Sequence, residues 1–274
     1  MEANRTIQKV TTGKKPGPTG TCRLCLQMRV LKDSHLIPRY LYTGLRTPDR
    51  KNPHPVRLDP NFEGTSSRQI KDYLLCGACE DLFNKNGETW MSQNGFRAPG
   101  EFKLQQAMKR TVPLLVIPEA KILPGDLALT PDALAKLTYF ATSVFWRAAA
   151  QPWKISGHLQ VRVELGEYEQ NLRLYLLGKA QFPKNVAMWC HVSPAERPMG
   201  GLVAPYRKHK STHHQFHFAI PGVAFDLFVG QTIPEGIYQL CMHRSVEHVV
   251  FLSDVVDSGF VSLVRSMRLG KKSK

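Results

Sequence analysis

The stretch CRLC at residues 22–25 shares its pattern with CGAC at residues 76–79, and these two Cys-X-X-Cys pairs are the strongest chemical signal in the chain. Two thiolates separated by two residues can bind one metal ion from a single tight turn. A second pair completes a tetrahedral site, the geometry that zinc adopts in closed structural sites. Two unrelated buried pairs or two disulfides are the alternatives, and the repeated spacing favours the metal site. The sequence therefore predicts a structural Zn²⁺ ion bound by Cys22, Cys25, Cys76 and Cys79.

The residues on either side of the second pair predict how the chain passes through this site. A strand-like run at residues 70–75 leads into Cys76, and Glu80 then begins a helical pattern with Leu82 and Phe83 on it. A metal-binding turn followed directly by a helix is the order of a treble clef. The segment between the two cysteine pairs is longer than in a compact zinc ribbon, so we expect additional structure to be built inside it.

Length and composition indicate a globular protein in a reducing compartment. The chain has 274 residues, of which 42% are hydrophobic, and this is enough to bury a sizeable core. Six cysteines are too few for a disulfide scaffold, and Cys190 and Cys241 stand alone in apolar, strand-like surroundings that favour a buried hydrophobic role. No apolar leader and no membrane-length apolar run is present in the sequence. We therefore expect a cytoplasmic protein without a membrane partner.

The charge of the chain points to polyanionic partners. There are 37 lysines and arginines against 22 aspartates and glutamates, which gives a formal net charge of +15. Such an excess attracts nucleic acid with an affinity that depends on salt and not on base sequence. The alternative is a solvated surface that only keeps the protein soluble. A basic chain with a zinc site favours nucleic acid.

Composition divides the chain into four parts. Residues 1–20 are rich in Lys, Pro and Gly, which predicts a flexible basic arm, and residues 21–100 hold the zinc site. Residues 101–264 are expected to form a second, α+β domain, and residues 265–274 a basic tail. The predicted fold class is therefore α+β, with an N-terminal zinc-bound treble-clef module followed by a domain of helices and an antiparallel sheet.

Within the first module, the sequence predicts a strand, a turn and a short helix. His35 precedes an aliphatic pair and Pro38, which places the histidine at the end of a strand. Residues 39–42 (RYLY) continue as a helix. Residues 47–68 are rich in Pro, Asn, Asp, Ser and Arg and predict a long irregular insertion.

The motifs of this module resemble those of the HNH endonuclease superfamily. The matching residues are CRLC at 22–25, SHLIP at 34–38 and LLCGACE at 74–80. The closest similarity is to bacterial proteins with SHIIP-like and LLCXXCE-like motifs, and it covers about a quarter of the chain. The resemblance implies a ββα unit that binds one divalent cation, usually Mg²⁺, and that hydrolyses phosphodiester bonds.

The resemblance also implies roles for individual residues. His35 matches the histidine that acts as general base, because a neutral imidazole can take a proton from the attacking water. Glu80 stands where a metal-binding histidine is expected, and a carboxylate is a suitable ligand for Mg²⁺ or Mn²⁺. Two positions depart from the pattern: Ser34 replaces a metal ligand, and Lys71 replaces an asparagine.

The second domain begins with helical patterns and continues with strands. Thr130 caps a helix that starts at Pro131 and ends before Pro152, and a second helix is predicted at residues 167–177. Arg147 on the first helix is expected to face outward or to cap a carbonyl. Short apolar runs then predict an antiparallel sheet, with strands at residues 186–192, 215–220, 223–229, 236–242 and 247–252.

The stretch YRKHKSTHHQFHF at residues 206–218 is basic and rich in histidine. Its histidines at 209, 213, 214 and 217 would suit a metal if they were helical, but the alternation of Phe216, His217 and Phe218 indicates a strand. A basic loop that contacts phosphates or a partner is the favoured interpretation. The residues predicted to contact nucleic acid are Arg39, Arg46, Lys71, Arg207, Lys208 and Lys210.

Two functions follow from these patterns. The first is a zinc-stabilised, HNH-like nuclease that cuts DNA with His35 and a divalent cation held partly by Glu80. Its resemblance to defence nucleases implies a bacterial anti-phage role with partner proteins of a defence system. The second is a module that kept the fold and lost the chemistry, and that binds nucleic acid or a partner. Ser34 and Lys71 favour the second function, whereas His35 and Glu80 favour the first.

Overall fold

The computed structural model describes most of the chain. The described residues are 17–46, 56–59, 62–65, 68–156, 159–198, 200–210, 213–243, 248–254, 256 and 262. Most of the predicted basic arm and the whole predicted tail at residues 265–274 lie outside this part. Residues 19–21 at the end of the arm form a strand.

Helices and strands alternate irregularly along the described residues, which confirms the α+β class. The helices are α1 (Arg39–Gly44), α2 (Gly77–Phe83), α3 (Thr89–Asn94), α4 (Lys103–Arg110), α5 (Gly125–Ala128), α6 (Pro131–Ala150), α7 (Tyr168–Leu176) and α8 (Glu235–Gln239). The strands are β1 (Thr19–Thr21), β2 (Met28–His35), β3 (Val56–Asp59), β4 (Phe62–Thr65), β5 (Lys71–Cys76), β6 (Leu115–Ile117), β7 (Ala120–Pro124), β8 (Trp153–Ser156), β9 (Leu159–Val161), β10 (Val186–Val192), β11 (Val203–Lys210), β12 (His214–Ile220), β13 (Val223–Val229) and β14 (Val249–Ser253).

A small antiparallel sheet in the order β1-β2-β5 carries the N-terminal motifs. Strand β2 ends at His35, which pairs in register with Lys71, and α1 follows after Pro38, so both of these sequence predictions are confirmed. The end of β5 leads directly into α2, and a π-helical turn (Asn84–Glu88) joins α2 to α3. The register places Leu31 opposite Cys76 at the end of β5, and α2 then returns along β2, so that Glu80 in its first turn reaches Ser34.

The described part of the predicted irregular insertion is a β-hairpin. Strands β3 and β4 pair antiparallel, with Val56 opposite Thr65 and Asp59 opposite Phe62. The stretch VRLD alternates apolar and polar residues, which is the period of a strand, although turn-forming residues surround it. Residues 47–55 of the insertion lie outside the described residues.

The second sheet has seven strands in the order β11-β12-β13-β10-β14-β7-β6. The predicted strands at 186–192, 215–220, 223–229 and 247–252 are confirmed within a few residues. The expected purely antiparallel pairing is wrong at one place, because β10 and β14 are parallel. Strand β13 is antiparallel to β10, and β14 starts at the end of the sheet where β13 finishes, so β14 runs in the same direction as β10.

The strand predicted at residues 236–242 is also wrong. This segment begins with the short helix α8, and its first turn is closed by a hydrogen bond from Ile237 N to Pro234 O of 2.9 Å. The apolar residues Ile237 and Cys241 are four positions apart, which is a helical spacing. Pro234 fixes the backbone at the start of this helix and has no N–H to donate to a sheet.

Helix α6 is the centre of the hydrophobic core, and the sequence predicted its limits. The Thr130 hydroxyl accepts a hydrogen bond from Ala133 N at 3.2 Å, which confirms the predicted cap. One side of α6 packs on the large sheet, where the rings of Phe145 and Phe218 are 4.8 Å apart. The other side packs on the N-terminal segment, where Phe83 of α2 lies edge-on to Trp146.

One hydrophobic cluster joins the N-terminal segment to the rest of the chain, from Cys22 to Leu252. Gly87 marks the closest approach, because a Cβ atom there would lie 2.8 Å from the backbone nitrogen of Phe140. None of the helices described is both long enough and apolar enough to cross a bilayer.

Candidate metal centre and neighbouring polar residues

The four cysteines of the two Cys-X-X-Cys pairs converge in the fold. Their sulfur atoms all lie within 4.8 Å of one another, and Cys25 Sγ is 4.0 Å from Cys76 Sγ. Tetrahedral Zn–S bonds of about 2.3 Å would place the sulfurs about 3.8 Å apart, so a small contraction would produce that site. None of the four forms a disulfide. The cluster can therefore bind a metal ion such as zinc, and the two alternatives of separate pairs and disulfides are wrong.

Backbone hydrogen bonds fix the first cysteine pair. Leu26 N donates to Cys22 O at 2.8 Å, and Cys22 N donates to Gln27 O at 3.0 Å, so the pair sits inside a tight turn. Leu26 closes the turn with a φ of 61°, in the left-handed region. The turn also contacts the second pair, because Cys76 N donates to Cys22 Sγ at 3.3 Å, and N–H donors stabilise thiolate ligands.

The protons of the cluster are strongly coupled. A hydrogen bond from Cys79 lowers the pKa of Cys22 to about 4, and the same contact raises the pKa of Cys79. Burial raises the pKa of Cys25. A metal ion that binds to the cluster displaces the protons of its thiol ligands.

An arginine from the second half of the chain holds the first turn in place. Arg173 of α7 donates from Nη1 to Leu24 O at 2.5 Å. Leu24 is fully buried, so this carbonyl has little access to water. No local sequence pattern predicts this contact, because 149 residues separate the two partners.

His35 lies half-buried at the end of β2, with Gln69 as its partner. Its Nε2 atom is 2.6 Å from Gln69 Oε1. Burial lowers the pKa of His35, although the contact with Gln69 opposes this shift. The imidazole is therefore neutral near pH 7. Sequence reasoning missed Gln69, which precedes β5 and is brought beside His35 by strand pairing.

Ser34 and Glu80, the two neighbouring motif positions, are in direct contact. The buried Ser34 hydroxyl donates to Glu80 Oε1 and accepts a hydrogen bond from Leu75 N at 3.2 Å. Glu80 lies in the first turn of α2. Burial raises its pKa, while Arg147 and the bond from Ser34 oppose the shift. The fold thus brings together residues that are 46 positions apart in the sequence.

Arg147 is buried, and the prediction that it faces outward or caps a carbonyl is wrong. Its side chain is 2% exposed and forms an ion pair with Glu88 of the π-helical turn. The guanidinium also lies over the ring of Phe83, 4.7 Å from its centre. Helical periodicity suggested a solvent-facing side for α6, but this helix is covered by the large sheet and by α2. Among the described contacts, Arg147 Nε and Nη1 and the buried Tyr40 hydroxyl have no hydrogen-bond partner.

The predicted nucleic-acid contacts divide into two groups. Arg39, Arg46 and Lys71 are exposed on the N-terminal segment, where Lys71 forms an ion pair with Asp33. Arg207 and Lys208 lie on β11 at the edge of the large sheet, and the side chain of Lys210 lies outside the described part. The described side chains of each group are exposed to solvent, and contact with nucleic acid stays a prediction for both.

His209, His214 and His217 lie on the paired strands β11 and β12, as the alternation of Phe216 and Phe218 predicted, and His213 lies in the connection between them. His217 Nδ1 is 3.1 Å from Asp226 Oδ1. Among the described side chains, only the four cysteines form a group of three or more metal-ligand residues with converging ligand atoms. A metal site of His213, His214 and His217 is therefore not formed.

Comparison with known proteins identifies no relative: no protein-family model, no curated protein and no solved structure gives a significant match to this chain.

Proposed function

We propose that residues 21–100 form a treble-clef module of the HNH type, stabilised by a structural Zn²⁺ ion, and that this module hydrolyses phosphodiester bonds of nucleic acid, most suitably DNA. The converging cysteines and the order of two strands followed by a helix support the module. Four thiolates in a closed tetrahedral arrangement are a ligand set typical of structural zinc sites.

One observation carries the catalytic part of the proposal. The end of β2, which bears Ser34 and His35, contacts Glu80 at the start of α2, as the HNH resemblance requires. His35 is neutral, so it can accept the proton of the attacking water. Glu80 would offer one carboxylate oxygen to Mg²⁺ or Mn²⁺. The cation would stabilise the charge that develops on the phosphoryl oxygens.

Charge supports a nucleic-acid substrate. The chain carries +15, and the exposed Arg39, Arg46 and Lys71 lie on the same segment as His35 and Glu80. Affinity for DNA should therefore fall steeply with salt concentration. A cytoplasmic location and a role in defence against phages, with partner proteins, remain predictions from composition and resemblance.

A second candidate is a zinc-dependent binding module without catalytic activity. The Ser34 hydroxyl occupies a position where a metal ligand is expected, and it already binds Glu80. The buried charge of Arg147 also lies close enough to Glu80 to influence its pKa. A guanidinium in this place supplies the positive charge that a divalent cation would otherwise bring.

Plasmid nicking with Mg²⁺ or Mn²⁺ separates the two candidates. The variants are His35→Ala and Glu80→Gln, and Asp81→Asn is the matched control because it is an exposed carboxylate next to Glu80 on the same helix. A nuclease should lose activity on the order of 100-fold or more in His35→Ala while zinc content is unchanged. Asp81→Asn should keep full activity.

The opposite results are equally informative. Nicking that survives in His35→Ala would remove this histidine from the mechanism. Absence of nicking by the wild-type protein, together with a gel shift of DNA that weakens with salt, would establish the binding module instead.

A further inference from the structure

A second polar cluster lies on the face of the large sheet that turns away from α6. Phe218 and Phe225 pack on α6, and side chains alternate along a strand, so His217 and Asp226 point to the opposite face. Four neighbouring strands contribute to this cluster. The groups around Asp226 are Gln215 Nε2 at 2.8 Å, His217 Nδ1 at 3.1 Å, His191 Nε2 at 3.6 Å and Lys208 Nζ at 3.7 Å.

Asp226 is a carboxylate despite its burial. The residue is 3% exposed, and burial alone raises its pKa, but the hydrogen bond with His217 and the nearby Lys208 hold it at about 2. A buried charge of this kind is retained only where it is paired and hydrogen-bonded. The cluster is therefore anchored by one permanent negative charge.

The contact with Asp226 orients the ring of His217. The Asp226 carboxylate accepts a hydrogen bond from Nδ1–H, so Nε2 is the ring nitrogen that is left to exchange a proton with a substrate. The His217 side chain is 17% exposed, and the ring of Tyr206 stands edge-on to it at 5.6 Å. An imidazole oriented by a carboxylate at the border of solvent has the arrangement of a general base.

The remaining neighbours differ in exposure. Lys208 is 45% exposed, so its ammonium group can contact a bound anion as well as Asp226. His191 is buried and stacked on Phe251 at 4.6 Å, and burial lowers its pKa to about 4. His191 is thus a neutral ring in the floor of the cluster, and its buried Nδ1 atom has no partner among the described residues.

We propose that His217 and Asp226 form a second catalytic centre that cleaves RNA. His217 Nε2 removes the proton of a ribose 2′-hydroxyl, and the 2′-oxygen attacks the adjacent phosphorus. The P–O5′ bond breaks, and the O5′ leaving group takes a proton from solvent. His217 later releases to solvent the proton that it removed from the 2′-hydroxyl. The products are a 2′,3′-cyclic phosphate and a 5′-hydroxyl end, and no water is consumed.

RNA suits the groups that are present. Its own 2′-hydroxyl supplies the nucleophile beside the phosphorus, so one base and one cation are sufficient for the reaction. Lys208 is the cation that would stabilise the charge on the phosphoryl oxygens. The strong positive charge of the chain favours a polyanionic substrate. This activity is independent of the proposed nuclease, because it uses neither His35 nor a divalent cation.

The test uses the full-length protein in a His35→Ala, Glu80→Gln background, without added Mg²⁺. This background inactivates the first proposed site without a chelator. A chelator would also remove a metal ion from the four-cysteine cluster. The substrates are an end-labelled single-stranded RNA and the same strand with 2′-O-methyl riboses. We expect cleavage of the RNA to cyclic-phosphate ends and no cleavage of the methylated strand.

Variants on strand β12 give the matched comparison. His217→Gln keeps a donor for Asp226 but provides no base, and it should reduce the rate on the order of 100-fold or more. His214→Gln is the control, because it changes the same residue type on the same strand but on the opposite face of the sheet. Its rate should equal that of the background protein.

Lys208→Met is a further check with little risk to folding, because the Lys208 side chain is 45% exposed. It should lower the rate by about 100-fold through loss of charge stabilisation. Intact RNA with the background protein, an unchanged rate in His217→Gln, or equal cleavage of the methylated strand would each overturn the proposal.

Discussion

The four-cysteine cluster and the Asp226 cluster are both polar sites inside one fold, yet they are built in different ways. The cysteines come in two local pairs: a tight turn places the first, and the junction of β5 with α2 places the second. The Asp226 cluster takes one or two side chains from each of four strands and exists only because those strands are in register. The spacing of residues in the sequence therefore predicts the first site, whereas the second forms only when the strands of the sheet pair.

The two clusters also depend on different sources of stability. The small sheet β1-β2-β5 leaves Met28, Val30 and Tyr73 exposed, while Leu74 and Leu75 are buried. A metal ion bound by the cysteines would add stability that a small sheet with exposed apolar side chains lacks. The large sheet is buried against α6, and strand β13 is buried along its whole length. We expect the first region to fail when its ligands are removed and the second to fail when its packing or its charges are disturbed.

The largest expected effect is on the metal cluster. Cys76→Ser should abolish zinc binding, because structural zinc contributes on the order of 10 kcal/mol to small metal-dependent folds. Cys241→Ser is the control: this thiol lies outside the cluster and donates to Tyr238 O, a bond that serine can keep. The zinc content of the variant should fall, and hydrogen exchange should show loss of amide protection in β1, β2 and β5. A Cys76→Ser protein that kept its zinc and melting curve would disprove the assignment.

A smaller effect should follow from breaking the ion pair between the two regions. Arg147→Met leaves Glu88 buried without its partner and should cost about 3 to 5 kcal/mol of unfolding free energy in denaturant titration. The double variant Arg147→Met, Glu88→Gln removes the orphaned charge and should recover much of this loss. Equal stability of the single and double variants would show that the orphaned charge of Glu88 does not cause the loss.

The pH dependence of stability tests the Asp226 cluster. Burial holds the pKa of His191 at about 4, below its usual 6.5, although Asp226 opposes the shift and His217 and Lys208 assist it. As the pH falls, His191 is protonated in the unfolded chain before it is protonated in the folded chain. The contribution of the neutral His191 to the free energy of unfolding is therefore present above pH 6.5 and is lost as the pH falls towards 4. The loss should reach about 3 kcal/mol.

The variant His191→Phe keeps the stacking on Phe251 and removes the titrating group. Urea titrations at several pH values should show a shallower acid loss for this variant than for the wild type. The protonation of the cysteines contributes equally to both proteins, so it cancels in the difference. Parallel pH profiles would contradict the assignment of this slope to His191.

The smallest effect is expected at the surface of the first region. Lys71→Met breaks the ion pair with Asp33, and both side chains of this pair are about half exposed. Exposed ion pairs contribute about 0 to 1 kcal/mol to the free energy of unfolding. Thermal melting should barely change, whereas DNA affinity should fall slightly if Lys71 contacts phosphate. A loss of several kcal/mol would mean that Lys71 supports the site itself.

Local patterns predicted those parts of the fold that depend on neighbours along the chain. Thr130 and Pro131 placed the start of α6, Gly178 lies just beyond the end of α7, and alternation placed β12 and β13. The direction of β14 and the helix at residues 235–239 were missed. Strand direction depends on where the previous strand ended, which no local window contains.

Sequence alone determined the four-cysteine cluster of this protein, because two residues separate the cysteines of each pair and this spacing already suits one metal ion. Only the tertiary structure decided what surrounds His35, Glu80 and Asp226. Gln69, Arg147 and Lys208 reach those residues by strand pairing and helix packing, and no local pattern in the sequence predicts these contacts. Coordination by thiolates is specified over four residues, whereas burial and charge are set by the whole chain that packs around a side chain.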